Sequence, residues 1–208
     1  MTDRLKVAIL GGSFNPVTLG HLQCARYIIN NTDVQQVWLT PCFSHIWNKE
    51  LLSPNHRYVM CLLATEINDG VIAFNFEISK KITTGTFDFL SLLLVRYPEI
   101  DFSYIIGMDN ANQFNKWARA SELKEMVRFI VVSRQGISQN EDGLWYTRPP
   151  HIFLNAEEEI MNISSTIVRG LIKDNQTEDL NKYLHPRVLK YIQDQGLYRH
   201  EEVQEGSQ

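Results

Sequence analysis

The chain has 208 residues, of which 44% are hydrophobic and 21% charged, and its formal net charge is −4. That is enough apolar material for one substantial core in a single domain, and the acidic balance excludes the global basic field that recruits nucleic acid. No apolar run approaches the ~20 residues a membrane span needs, and the odd count of Cys24, Cys42 and Cys61, without CxxC spacing, argues against a disulfide framework or zinc site.

With polar Thr2, Asp3 and Arg4 ahead of a short strand, these features predict a cytoplasmic protein with buried thiols. Residues 7–10 are β-prone and free of charge, as in a strand buried on both faces of a parallel sheet. Gly11 and Gly12 then permit a sharp turn and a close approach of backbone to a ligand. Leu22, Ala25, Ile28 and Ile29 fall at helical spacing, so a helix starts near Leu19. A glycine turn at a helix N-terminus attracts phosphate, and Thr18 and His21, three residues apart, can face one anion together. The same residues also fit an ordinary βα turn with a capping Thr and a surface His. Neither a P-loop GxxxxGK[ST] nor a dinucleotide GxGxxG is present.

Further along, 37–40, 71–76 and 102–106 read as strands and 55–67 and 87–97 as helices. This alternation predicts an α/β fold, an open parallel sheet with helices on both faces. Residues 128–132 and 151–154 add two strands, separated by a polar segment, 135–147, that reads as a surface loop. Ser164 or Ser165 caps a helix to about 173, and a last helix over 186–195 is stopped by Gly196. From Arg199 the chain is polar, giving one domain over 1–198 and a tail over 199–208. In an open parallel sheet ligands bind beyond the C-terminal strand ends, near the point where strand order reverses. Residues 12–21, 41–49 and 107–117 all follow strands.

Gly12-Ser-Phe-Asn-Pro-Val-Thr-Leu-Gly-His21 resembles the GxFxPx(H/T)xGH signature of the nucleotidylyltransferase superfamily, and Ile163-Ser-Ser-Thr-Ile-Val-Arg169 resembles its ISSTxxR signature. From Val7 to about Tyr198 the chain is most similar to the nicotinamide/nicotinate mononucleotide adenylyltransferases, which join a mononucleotide to the AMP part of ATP. It departs from the commonest bacterial pattern at Thr18, where that pattern has a second His. The resemblance implies a Rossmann-like fold of nucleotidylyltransferase type, ATP and a pyridine mononucleotide as substrates, and Mg²⁺ bound mainly through ATP phosphates. It implies catalytic roles for Thr18, His21, Lys49 and Arg169. Gly11, Gly12, Ser13, Phe14, Gly107, Asp109, Ser164, Ser165 and Thr166 would contact ATP. Ser13, Phe14, Thr86, Asp88 and Trp117 would contact the mononucleotide.

Elementary chemistry bears on each of these. A lone loop Lys is a solvated charge, yet the spacing from Pro41 through Lys49 to His56, Arg57 and Met60 is similar to the family block whose Lys reaches ATP phosphates. His45 reads as loop surface, and Arg57 is ambiguous between binding phosphate and pairing with a carboxylate of the fold. Ser164 to Arg169 is a helix N-terminus carrying hydroxyls and a guanidinium, and read bare it is equally a plain N-cap. Asp109 can accept from ribose hydroxyls, and Trp117 can stack on a flat ring, although a Trp there is otherwise core. Residues 84–90 occupy the place of the family's SYTxDTL block. Thr86, Asp88 and Leu90 are retained, and Phe89 stands where that block has Thr. Phe89 offers no donor to a carboxylate, so the amide mononucleotide should be accepted, with or without the acid.

The implied reaction is in-line attack by a 5′-phosphate on the α-phosphorus of ATP. It needs alignment and charge neutralisation and no protein nucleophile. Two other readings fit the same motifs: another adenylyl- or cytidylyltransferase, such as pantetheine-phosphate adenylyltransferase, and a nucleotide-binding regulator without turnover. A homo-oligomer is compatible with the sequence.

Overall fold

The structure, a computed structural model, describes residues 4–44, 51–66, 70–133, 144–156, 160 and 163–199. Its elements run β1 (Leu5–Gly12), α1 (Leu19–Asn31), β2 (Gln36–Pro41), α2 (Pro54–Thr65), β3 (Val71–Ala73), α3 (Phe76–Ser79), α4 (Thr86–Arg96), β4 (Ile100–Gly107), α5 (Met108–Asn112), α6 (Ala120–Met126), β5 (Arg128–Val132), β6 (Ile152–Leu154), α7 (Ser165–Lys173) and α8 (Pro186–Asp194). The six strands form one parallel sheet in the order β3-β2-β1-β4-β5-β6. The order reverses between β1 and β4, which puts the switch point at the carboxyl ends of those two strands.

Side chains along each strand alternate between two cores, as the period of two requires. Ala8, Val37, Leu39, Ile105 and Ile130 face a core closed by Leu22, Ala25 and Ile28 of α1, Met60 and Ala64 of α2, Val168 of α7 and Val188 of α8. Val7, Ile9, Phe102, Tyr104, Phe129 and Val131 face the other, closed by Phe89, Leu90 and Leu93 of α4, Met108 of α5 and Leu123 of α6. The α/β reading from sequence therefore holds. Among the described residues no helix is long and apolar enough to cross a membrane.

Three local expectations are corrected. The third strand ends at Ala73, because Phe76 starts α3 and its ring stacks on Phe74 at 5.8 Å beside Trp38 and Tyr97. The segment expected to be a surface loop contains a 3-10 turn, Leu144–Thr147, with Tyr146 buried and Trp145 packed 4.5 Å from the Phe114 ring. An aromatic pair, Trp145 and Tyr146, draws that turn into the core. Of the three thiols only Cys61 is fully buried, while Cys24 and Cys42 are half-buried.

Candidate functional site

The segment Gly11 to His21 crosses the switch point and borders both of the main recesses there. On the α1 side lies a largely apolar recess of about 490 Å³, lined by Leu10, His21, Cys24, Ile105, Gly107 and Ile163 among others. On the α4 side lies an open, more polar cleft of about 730 Å³, which Gly11, Gly12, Ser13, Glu77, Thr86, Phe89, Tyr104, Asn110 and Trp117 help to line.

Gly11 and Gly12 are the last residues of β1, paired with Thr40 and Pro41, so the turn itself begins at Ser13. What they lack is a Cβ. One built on Gly11 would lie 2.5 Å from the Tyr104 hydroxyl oxygen, and one on Gly12 would lie 3.3 Å from the Phe14 ring. The glycines therefore let Tyr104 and Phe14 close onto the strand end. Phe14 has a positive φ of 44°, a conformation disfavoured for a bulky residue. Its ring is 2% exposed and meets His21 edge-on, the centroids 5.1 Å apart. Phe14 thus shapes the turn and braces His21, and its ring is not available to a ligand.

Thr18 caps α1, as expected, but its side chain does not face an anion alongside His21. It is 1% exposed, with Oγ1 2.8 Å from His21 Nδ1, and its backbone N–H donates to the same nitrogen at 3.0 Å. A nitrogen that accepts from a backbone N–H carries no proton, so the neutral ring holds its proton on Nε2. Thr18 is a positioning residue that fixes the tautomer of His21. The helix also offers fewer amides to the turn than the sequence implies, since Leu19 N–H donates to the Tyr183 carbonyl at 2.8 Å.

The second signature docks directly on the first. Ser165 Oγ donates to the Pro16 carbonyl at 2.7 Å, and Arg169 Nη1 donates to the Asn15 carbonyl at 2.8 Å. Arg169 Nη2 donates to Thr166 Oγ1 at 3.2 Å, and Ser164 Oγ accepts from the Ile167 amide at 3.2 Å, capping α7. Ser165 spends its one proton on Pro16 and so serves as a tether, while Ser164 and Thr166 accept with their oxygens and keep hydroxyl protons to donate. The guanidinium of Arg169 is held beside the turn that carries His21.

Arg57 fits neither of its expected roles. It is fully buried, and its guanidinium donates to four carbonyls: Leu52 at 2.9 Å, Ser13 at 2.8 Å, Cys42 at 2.6 Å and Phe43 at 3.1 Å. It pins the turn after β1 to the chain leaving β2. Lys49 and His45 lie outside the described residues.

In the α4 cleft, Thr86 is the first residue of α4 and hydrogen-bonds the Tyr104 hydroxyl, whose pKa burial raises. Trp117 is half-buried in extended backbone and not in a helix, with Phe114 5.2 Å away on one side and the cleft on the other. Asp88 is exposed, its charge acting on Arg119. Asp109 is exposed in the first turn of α5, and Gly107 at the end of β4 lines the apolar recess.

Sequence reading missed four residues. Glu77 accepts from the Phe43 amide at 3.2 Å, and burial pushes its carboxyl up to about 7 against the opposing pull of that amide and of Arg57. Tyr104 completes the cleft floor. Asn15 Oδ1 accepts from Leu52 N–H and from the Tyr198 hydroxyl, at 3.4 and 2.8 Å, so Asn15 and Tyr198 join the first signature to the far end of the chain. Only Asn15, inside the first signature, had a local signal.

The cytidylyltransferase-like family model matches residues 9–171. A Streptococcus pneumoniae protein named "Probable nicotinate-nucleotide adenylyltransferase" is 34% identical over 199 residues, covering 94% of this chain and 90% of its own. A Myxococcus xanthus protein of the same name is 32% identical over 200 residues, covering 95% and 97%. Among solved structures, Plasmodium falciparum nicotinic acid mononucleotide adenylyltransferase complexed with NaAD matches with a TM-score of 0.79 at 25% identity, covering 93% of this chain and 97% of that one. The chain belongs to the cytidylyltransferase-like family and, within it, to the nicotinamide/nicotinate mononucleotide adenylyltransferases.

Proposed function

We propose that the protein transfers the AMP part of ATP to the 5′-phosphate of a pyridine mononucleotide, releasing pyrophosphate and forming NAD or its deamido form. The observation that carries this reading is the pair of recesses flanking one turn: an apolar one, lined in part by His21 and suited to a purine, and a polar one walled by an indole, with Arg169 hydrogen-bonded to the turn itself. The names of the relatives support it, and they give nicotinate nucleotide as those proteins' substrate.

The 5′-phosphate is largely dianionic at neutral pH, its second pKa being about 6, so it attacks the α-phosphorus without a strong general base. His21, held with Nε2 protonated, donates to an oxygen of the transferring phosphate as charge builds there, and Arg169 neutralises the departing pyrophosphate. Thr18 and Phe14 keep the imidazole in place. Ser164 and Thr166 supply hydroxyl donors to the β and γ phosphates. Lys49 joins this set by resemblance. The donors around the turn are hydroxyls, an imidazole and a guanidinium, which suit phosphate oxygens. They fit a Mg²⁺ ion that arrives on the triphosphate and supplies charge neutralisation there. Trp117 stacks on the pyridine.

Incubating the protein with Mg-ATP and, separately, each mononucleotide tests the reading by mass analysis of the product. A dinucleotide with one equivalent of pyrophosphate is expected, the amide being accepted with or without the acid. ATP binding without pyrophosphate release would favour the regulator.

A further inference from the structure

Glu77 has no part in the chemistry above, yet among the described residues it is the carboxylate that lines the cleft holding Trp117 and Thr86. One of its oxygens is committed to the Phe43 amide. Arg57 acts on it from α2, but every arm of that guanidinium already donates to a main-chain carbonyl, so it forms no ion pair with Glu77. Among the described residues the other titratable groups facing it are the Cys42 thiol just past β2 and the Tyr104 hydroxyl on β4. Burial raises the pKa of both, so both are neutral near pH 7. Among the described residues the cleft therefore contains one weakly compensated carboxyl among neutral donors. A substrate that brings a second carboxylate there meets like charge, whereas an amide does not.

We propose that Glu77 reads the substituent on the pyridine ring: ionised, it accepts from the N–H of an amide, and protonated, it donates to either an amide oxygen or a carboxylate. The inference rests on the adenylyltransferase reading above and names its specificity-determining group. Either form of Glu77 serves the amide, and only the acid form serves the carboxylate. The ratio of acid to amide turnover then follows the protonated fraction of Glu77. For a carboxyl titrating near 7, that fraction falls from roughly nine-tenths at pH 6 to roughly one-tenth at pH 8.

The test measures kcat/KM for nicotinate and nicotinamide mononucleotides at pH 6 and pH 8 with saturating Mg-ATP, in the wild type and in Glu77→Gln. Taking the ratio cancels the titration of the 5′-phosphate and of every other group whose effect both substrates share. The acid-to-amide ratio should fall roughly tenfold between the two pH values in the wild type and become flat in Glu77→Gln, whose side chain still accepts from the Phe43 amide. A wild-type ratio constant within about twofold, or a Glu77→Gln ratio that keeps the wild-type slope, overturns the proposal. Should Glu77→Gln fail to fold, the ¹³C titration of the Glu77 carboxyl decides. Its midpoint must rise when the acid mononucleotide binds, by linkage, and an unmoved midpoint overturns the proposal. A protein that forms no dinucleotide from either substrate fails at the adenylyltransferase reading itself, a result distinct from dinucleotide formation at a pH-independent ratio.

Discussion

Adding one methyl group at Gly11 should damage both the fold and the α4 cleft, and the geometry gives the size of the effect. The new Cβ would sit 2.5 Å from the Tyr104 hydroxyl oxygen and 3.3 Å from its Cζ, where ordinary contact is about 3.5–4.0 Å. Tyr104 has little room to retreat, because its ring packs edge-on against Phe129 at 5.9 Å and its hydroxyl is bonded to Thr86. Overpacking of this kind costs about 1–3 kcal/mol. At roughly 2–4 °C per kcal/mol for a domain of this size, Gly11→Ala should lower Tm by roughly 2–12 °C. Moving the hydroxyl also disturbs Thr86, so the mononucleotide KM should rise more than that for ATP. Tyr104→Phe removes the atom at 2.5 Å and itself costs about 1 kcal/mol for the lost hydrogen bond. In the double variant the two losses should therefore fall short of additivity by ~1 kcal/mol or more. Chemical denaturation of the wild type, both single variants and the double variant measures this. Strict additivity, or a Gly11→Ala protein as stable as the wild type, would refute the close-approach account of that glycine.

His21→Ala should lower kcat by roughly 10² or more with an unchanged circular dichroism spectrum. Thr18→Val, which removes the hydroxyl but keeps the backbone N–H on Nδ1, should cost only about the several-fold expected for one hydrogen bond; losses of equal size would return Thr18 to the catalytic groups. Arg57→Met strips donors from four carbonyls. At roughly 3 kcal/mol the melting temperature should drop by roughly 6–12 °C, and an unaltered melt would contradict the tether. Trp117→Ala should raise the mononucleotide KM several-fold, stacking being worth on the order of 1 kcal/mol, with Trp117→Phe recovering part of it. Glu77 also predicts a pH effect on stability. Its folded pKa, about 7, lies above the ordinary carboxyl value of 4.5, so its contribution is fully present below that ordinary value and is lost as pH rises through 7. Glu77→Gln should flatten that limb of the stability curve, and a parallel curve would show that the carboxyl is not buried as described.

The fold was legible because its signals are local: charge-free strand runs, helical spacing after Pro16 and a Ser cap before Ile167 each follow from a few adjacent residues. So was the pairing of the two signatures, though not its form. Ser165 reads as a phosphate ligand until Pro16, 149 residues away, takes its proton. Arg57 reads as a phosphate or carboxylate partner because a guanidinium buried against bare carbonyls leaves no trace in spacing. Glu77 lies in an unremarkable stretch, and only the sheet brings α3 beside the end of β2. By sequence Phe89 reads as the position that sets ring preference. It is a buried floor residue, and Glu77, Thr86 and Tyr104 are among the residues that give the cleft its polar atoms. Tyr198 reaches Asn15 across 183 residues, a closure no local pattern encodes.

The central claim is direct adenylyl transfer, and following the label from [α-³²P]ATP and [γ-³²P]ATP with and without mononucleotide tests it most directly. The account predicts that α-label enters the dinucleotide, that γ-label leaves as pyrophosphate in equal amount, and that neither moves until mononucleotide is added. Alpha-label bound covalently to the protein in the absence of mononucleotide, or released as free AMP in its presence, would contradict it.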